Sequence, residues 1–208
     1  MGLRSDPVND PRPPAARLPA ARRRQQLLEV ALAVFGDQGF HVTSMNDVAE
    51  AAGVTKPVLY QHFRSKRDLY REVLTDVGAQ LLDAITKATA AAETPHEQVE
   101  LGFAAYFRFV ATNQAAFRVL FGGGTRRDEE FAAQVAEVEA AIADAIATLI
   151  DVEALTGPQR RQLAHGLVGL AEGTSRLWVA DGATEPPEQL AHLVADLAWH
   201  GLRDIRGG

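Results

Sequence analysis

Apolar residues return at helical intervals along most of this chain. Between Arg22 and Gly39, the residues Leu28, Ala31, Leu32 and Phe35 fall at i, i+3, i+4 and i+7, the spacing that lines one face of a helix. Gly39 supplies a stop. The segment Ser44 to Ala52 opens with Ser-Met-Asn-Asp, so the Ser44 hydroxyl can cap a free amide while Asp47 reaches back from the third position. Gly53 interrupts. Thr55 is placed to cap a second short helix, with Pro57 in its first turn, where a missing N–H has no partner to lose. A further Ser-x-x-Asp start at Ser65 begins a long helix that sets Leu69, Val73, Val77, Leu81 and Ile85 near one face, fading in the alanine run before Pro95. Beyond Pro95 the periodic stretches are roughly 95–112, 114–121, 126–150, 157–181 and 186–204. Gly122-Gly123-Gly124, Thr156-Gly157-Pro158 and Pro186-Pro187 punctuate them. No convincing alternating strand and no internal repeat is found. The pattern predicts an all-α chain of about nine helices.

Composition narrows the classes. Five of the ten prolines lie in residues 1–20, which predicts a disordered arm there. The 47% apolar and 23% charged content is that of a globular protein. No apolar run approaches the ~20 residues that span a bilayer, and the first residues lack the apolar centre of a secretory signal. The expectation is a cytoplasmic protein without a membrane partner. The absence of cysteine excludes disulfides, thiolate zinc sites and a cysteine nucleophile. Six histidines form no His-Glu-x-x-His pair, and the glycines at 122 to 124 lack the lysine and preceding strand of a phosphate loop. No catalytic residue, metal or cofactor is therefore expected.

The net charge of −6 is unevenly distributed. Residues 1–66 hold nine Lys and Arg against six Asp and Glu, whereas residues 67–208 hold twelve against twenty-one. Such asymmetry suits a front end that approaches phosphate and a rear body repelled by it.

Two short helices joined through Gly53 have the size and connection of a DNA-reading helix-turn-helix. Val48, Ala49, Ala52, Val54 and Leu59 supply small apolar contacts for a close crossing, and Lys56, Val58, Tyr60, Gln61 and His62 present groove-reading and phosphate-holding side chains. The same geometry occurs in helical corners that never touch DNA. Tyr60 can equally pack its ring, and His62 and Lys66 can equally be solvated surface groups.

The stretch from Thr43-Ser44-Met45-Asn46-Asp47-Val48-Ala49-Glu50-Ala51-Ala52-Gly53-Val54-Thr55-Lys56-Pro57-Val58-Leu59-Tyr60 through Gln61-His62-Phe63-Arg64-Ser65-Lys66-Arg67-Asp68-Leu69 resembles the N-terminal signature of the TetR family. With Phe35 and Gly39, the resemblance covers about a quarter of the chain. It implies a disordered arm over 1–20, a DNA-binding domain over 21–68, and a larger C-terminal regulatory and dimerisation domain over 69–208. It implies a homodimer that binds a palindromic double-stranded operator and a repressor released by a small apolar effector. By position, Ser44, Tyr60, His62 and Lys66 match phosphate contacts, while Thr55, Lys56, Pro57, Val58 and Gln61 match residues that face base edges. Pro57 stands where many members have glycine, which leaves the preferred bases open. Arg22, Arg23 and Arg24 are read either as a groove-entering arm or as a solvated charge run.

Past residue 75 the residues speak alone. Phe103, Tyr106, Phe107 and Val110 form one aromatic stripe, and Phe117, Leu120 and Phe121 crowd the next helix. Such stripes are usually core. The functional reading is an apolar cavity lined by Phe103, Phe107, Phe121 and Trp178, with Arg108, His165, Glu172 and Arg176 as sources of polar contacts. Gly166, Gly169 and Gly173, with the stripe Leu190, Leu193, Val194 and Leu197 ending at Trp199, suit a four-helix dimer seam or intrachain packing alone. An enzyme and an effector-free architectural DNA binder are the competing readings, and the acidic body argues against the second.

Overall fold

The computed structural model describes residues 19–203, so the arm expected over 1–20 lies, up to position 18, outside the described residues. Pro19 leads directly into α1 (Ala20–Gln38), which places Arg22, Arg23 and Arg24 on a helix. Gly39 closes it at φ +80°, a conformation that glycine adopts without a Cβ penalty. Then follow α2 (Met45–Ala51), α3 (Lys56–His62) and the long α4 (Lys66–Thr89). The rear body contains α5 (Pro95–Thr112), α6 (Gln114–Phe121), α7 (Gly123–Arg127), α8 (Glu129–Ala147), α9 (Gly157–Ala180) and α10 (Pro187–Arg203). The described residues contain no strand.

The five-residue α7 stands where the glycine run predicts a plain break. Long-range bonds hold it against glycine's poor helix propensity. The Thr125 hydroxyl, in a residue 3% exposed, donates to the Val119 carbonyl at 2.7 Å and meets the Tyr70 hydroxyl at 2.6 Å.

The front bundle closes because Leu27, Leu28, Ala31 and Phe35 of α1 bury against Val48 and Ala49 of α2, Leu59 of α3 and Leu69, Tyr70 and Val73 of α4. Leu32 is only partly buried. The stripe read on α4 is buried throughout, from Leu69 to Ile85. At 24 residues and 1.5 Å per residue, α4 is about 36 Å long, long enough to serve front and rear alike. It runs unbroken through positions 68 and 69, and the core on either side forms one contiguous cluster.

Two glycines set how closely the parts approach. A Cβ on Gly36 would sit 2.7 Å from Ala115 Cβ and 2.8 Å from Ala115 Cα, so α1 meets the first turn of α6 with no room for a side chain. A Cβ on Gly78 would fall 2.5 Å from Val138 Cγ2, which brings α4 and α8 together in the same way. Arg118 Nε also donates to the Gly36 carbonyl at 2.7 Å. The front bundle is thus seated directly on the rear body.

Candidate nucleic-acid interface

The α2 start is the capping box that Ser44 and Asp47 predict. Asp47 N–H donates to Ser44 Oγ at 3.2 Å, and Ser44 N–H donates to Asp47 Oδ2 at 2.7 Å. Those bonds hold the Asp47 carboxyl below its ordinary range, the Ser44 backbone amide being the main cause and the Ser44 side chain the next. Ser44 remains exposed at the helix start. Gly53, at φ +64°, makes the turn into α3.

Leu59 is the inward face of α3, with no exposed surface. Thr55, Lys56, Pro57, Tyr60 and Gln61 are exposed, Tyr60 at 45%. Thr55 occupies the cap position, yet its hydroxyl makes no capping hydrogen bond, so it is left for another partner. Val58 and His62 are half-buried at the edge of the strip. One face of a two-turn helix therefore carries a hydroxyl, an ammonium, a phenol and an amide, with Pro57 as an apolar contact. Hydroxyl, ammonium, phenol and amide groups are chemically suited to donate to phosphate oxygens and base edges.

Lys66 is placed differently from the expected phosphate contact. Its Nζ donates to the carbonyls of Phe40 at 2.8 Å, His41 at 3.3 Å and Thr43 at 2.8 Å, and lies 4.4 Å from the Phe40 ring centre. All three ammonium hydrogens have backbone acceptors. Lys66 ties the α1–α2 loop to the start of α4 and so positions Ser44. Arg24 is similarly engaged, 2.7 Å from Glu72 and 4.9 Å from the Phe63 ring centre, and Arg23 donates to Gln26. Arg22 is exposed.

Behind the interface lies a cavity of about 340 Å³. Its walls come from α4 (Leu81, Ile85, Thr89), α5, α8 (Val138, Ile142, Ile146) and α9 (Leu167, Val168, Ala171). Phe103 and Phe121 line it as expected. Phe107 and Trp178 do not: they pack edge to face with ring centres 6.2 Å apart, and Trp178 Nε1 donates to the Glu185 carbonyl at 3.1 Å. Tyr106 and Trp199 take their places on the wall. The lining runs along α5 from exposed Pro95 to buried Tyr106 and also takes in Phe121, Asp151, Glu172 and Trp199. Of the four polar candidates only Glu172 reaches it, while Arg176 pairs with Glu172 at 3.1 Å and Arg108 and His165 are exposed. The α10 stripe divides into two faces. Leu190 and Val194 are buried in the chain's own core, whereas Leu193 and Leu197 are 62% and 63% exposed.

No described helix is long and apolar enough to cross a membrane. Residues 27–73 match the family described as bacterial regulatory proteins, tetR family, and residues 95–201 match the tetracyclin repressor-like C-terminal domain. Over 190 residues the chain is 32% identical to the HTH-type transcriptional activator FasR of Mycolicibacterium smegmatis, covering 91% of this chain and 87% of FasR. The crystal structure of a TetR-like transcriptional regulator from Rhodococcus sp. RHA1 superposes with a TM-score of 0.74 at 30% identity, covering 91% of this chain and all of the other. FadR from Bacillus subtilis, solved in complex with stearoyl-CoA, shares the fold at a TM-score of 0.72 and 18% identity, over 84% of this chain and 96% of FadR. The likeness thus takes in both the outward strip on α3 and the cavity behind it, and the chain belongs to the TetR family of DNA-binding transcriptional regulators, which are not enzymes.

Proposed function

We propose that this regulator grips a palindromic operator as a homodimer in the cytoplasm and lets go when a long, apolar acyl chain fills the rear cavity. One observation carries the reading: α4 starts at the loop that positions Ser44 and ends as a wall of the cavity, through Leu81, Ile85 and Thr89. A ligand that moves the wall moves the reading head. Residues 21–68 then serve as the reading domain and 69–208 as the sensing and pairing domain. Lys56, Thr55, Pro57, Val58 and Gln61 read bases, and Ser44, Tyr60 and His62 hold phosphates.

The cavity's shape favours a chain over a compact ligand. Pro95 to Tyr106 spans about 16 Å of helix, and a zigzag carbon chain advances about 1.25 Å per bond, so about 13 bonds fill its length. Its volume of about 340 Å³ sits at the small end of ligand pockets. FadR, which shares the fold, was solved in complex with stearoyl-CoA, and this supports an acyl ligand here.

Pairing uses the outward face of α9 and α10. A Cβ at Gly166, Gly169 or Gly173 would meet nothing within 4 Å among the described residues, and Leu177 of α9 and Leu193 and Leu197 of α10 are 65%, 62% and 63% exposed. A second copy covers such a face, because twofold pairing lets two short α3 helices read two half-sites. The clamp represses where the operator overlaps a promoter. The relative FasR is named an activator, which supports the other sign for an operator placed upstream.

Operator selected from genomic fragments, titrated by anisotropy, tests the reading. Gln61→Ala is expected to change preference at one base position per half-site, and Tyr60→Phe, at a phosphate contact, to weaken all sequences alike. Myristoyl-CoA is expected to weaken binding about 5- to 150-fold. Absence of DNA binding at low ionic strength sinks the proposal.

A further inference from the structure

Among the carboxylates lining the cavity, Glu172 is shared between two helices. Glu172 is 7% exposed and lines the cavity, as Tyr106 and Phe121 do. Its Oε1 accepts from Arg126 of α7 and from Arg176 one turn along its own helix, the latter at 3.1 Å. Arg126 also lies 3.9 Å from Glu139, another cavity residue.

What Arg126 stands on gives that pair its consequence. The preceding residue, Thr125, holds Tyr70 of α4 at 2.6 Å. Two residues on, Asp128 accepts from Arg67 of α4 at 2.9 and 3.1 Å, and Glu130 accepts from Arg67 at 2.7 Å and lies 3.4 Å from Arg71. Arg67 is the neighbour of Lys66, which holds the loop before Ser44. A continuous run of polar contacts thus joins the cavity's buried end to the first turns of α4, at the base of the reading head. It passes through α7, whose glycines give it little helical stability of its own.

We propose that Glu172 is the positioning residue that reports ligand occupancy: with the cavity empty it holds Arg126 and Arg176 together and so braces α7, and a chain reaching Glu172 breaks the Arg126 half while Arg176 stays bound. The inference rests on the acyl-ligand reading above. A buried carboxylate tolerates the loss because it is never without a guanidinium, whereas an unpaired one is heavily penalised. The i, i+4 spacing of Glu172 and Arg176 keeps the second partner in reach without backbone movement. Once Arg126 is released, α7 is held to α4 only through the bonds of Thr125 and Asp128, and the N-terminal end of α4 is freer to tilt. Coupling through such a chain requires a discrete two-state element, and the Arg126–Glu172 contact, made or broken while Arg176 stays bound, supplies it.

The test measures myristoyl-CoA affinity by calorimetry and operator affinity by anisotropy on the full chain and three variants. Arg126→Met is expected to bind myristoyl-CoA severalfold more tightly, since no brace need break, and to keep less than about threefold of the ligand-induced loss of operator affinity. Arg126→Lys, which keeps the charge, is expected to retain release. Arg176→Met is expected to bind myristoyl-CoA about tenfold more weakly, because displacement leaves the carboxylate unpaired. Full release with unchanged ligand affinity in Arg126→Met overturns the proposal and leaves the acyl reading standing. Failure of the unaltered protein to bind myristoyl-CoA overturns the acyl reading, and the brace with it.

Discussion

Lys66 Nζ donates to the Thr43 carbonyl at 2.8 Å, across 23 residues of sequence, and so pins the loop that delivers Ser44 to the start of α4. Two further carbonyls, of Phe40 and His41, complete its coordination. Replacing it with methionine keeps the stem over the Phe40 ring but orphans two partly buried acceptors and one exposed one. Lys66→Met is therefore expected to lower unfolding stability by about 1–3 kcal/mol, measured by urea denaturation. Operator affinity is expected to fall with the salt slope unchanged. A slope reduced by about one per half-site would instead identify Lys66 as a phosphate contact.

That lysine also marks where the sequence stops being informative. Its residue type and its place after Ser65 suit either role, and the acceptors that decide between them lie more than twenty residues upstream. Local features were legible: the Ser44–Asp47 capping box and the stripe from Leu69 to Ile85 need only neighbours one turn away. The cavity was half legible. Phe103 and Phe121 line it and Phe107 and Trp178 fill core, because an aromatic residue suits a packed wall and an empty one equally well. A void is defined by which side chains fail to meet, here those of α8 with those of α5, and periodicity within one helix holds no record of that. The helix α7 was hidden for the converse reason: three glycines argue for a break, and Thr125 overrules them through Val119 and Tyr70.

The contact between Gly36 and Ala115 sets the seat of the reading head on the body. A methyl group at position 36 would meet backbone as well as side chain, at 2.8 Å from Ala115 Cα and 3.0 Å from its carbonyl oxygen, so no rotamer change relieves it. Gly36→Ala is expected to cost about 1–3 kcal/mol by overpacking. It also pushes α1 from α6 and strains the Arg118 bond to the Gly36 carbonyl. Thermal unfolding of the variant checks the stability loss, and an unchanged midpoint would show that the two helices part freely.

Leu193 and Leu197 follow one another at i, i+4 on the outward face of α10, each more than three-fifths exposed. Pairs of leucines held in water are expected where a second copy covers them. The double variant Leu193→Glu, Leu197→Glu sets four carboxylates across a twofold seam and should shift the protein to monomer in sedimentation. Leu190 and Val194 remain buried inside the chain, so its helicity is expected to stay intact. Operator affinity then falls steeply, since each half-site must be held alone. A variant that stays dimeric places the seam elsewhere.

Acid should loosen the reading head before the protein meets any DNA. Asp47 is held below its ordinary value of 3.8 chiefly by the Ser44 backbone amide, and Asp128 below the same value chiefly by its hydrogen bond from Arg67. Both carboxylates bind protons less readily folded than unfolded. Each therefore contributes stability that is complete above the unfolded value near 3.8 and disappears as pH falls through the lower folded one. The unfolding midpoint of the protein should stay level from about pH 7 to pH 5 in respect of these two groups, then decline toward pH 2. Asp47→Ala removes one of them and lowers the midpoint at neutral pH, by an amount that shrinks as the wild-type carboxylate protonates. Midpoints that run parallel down to pH 2 would show that the Asp47 charge plays no part in holding α2.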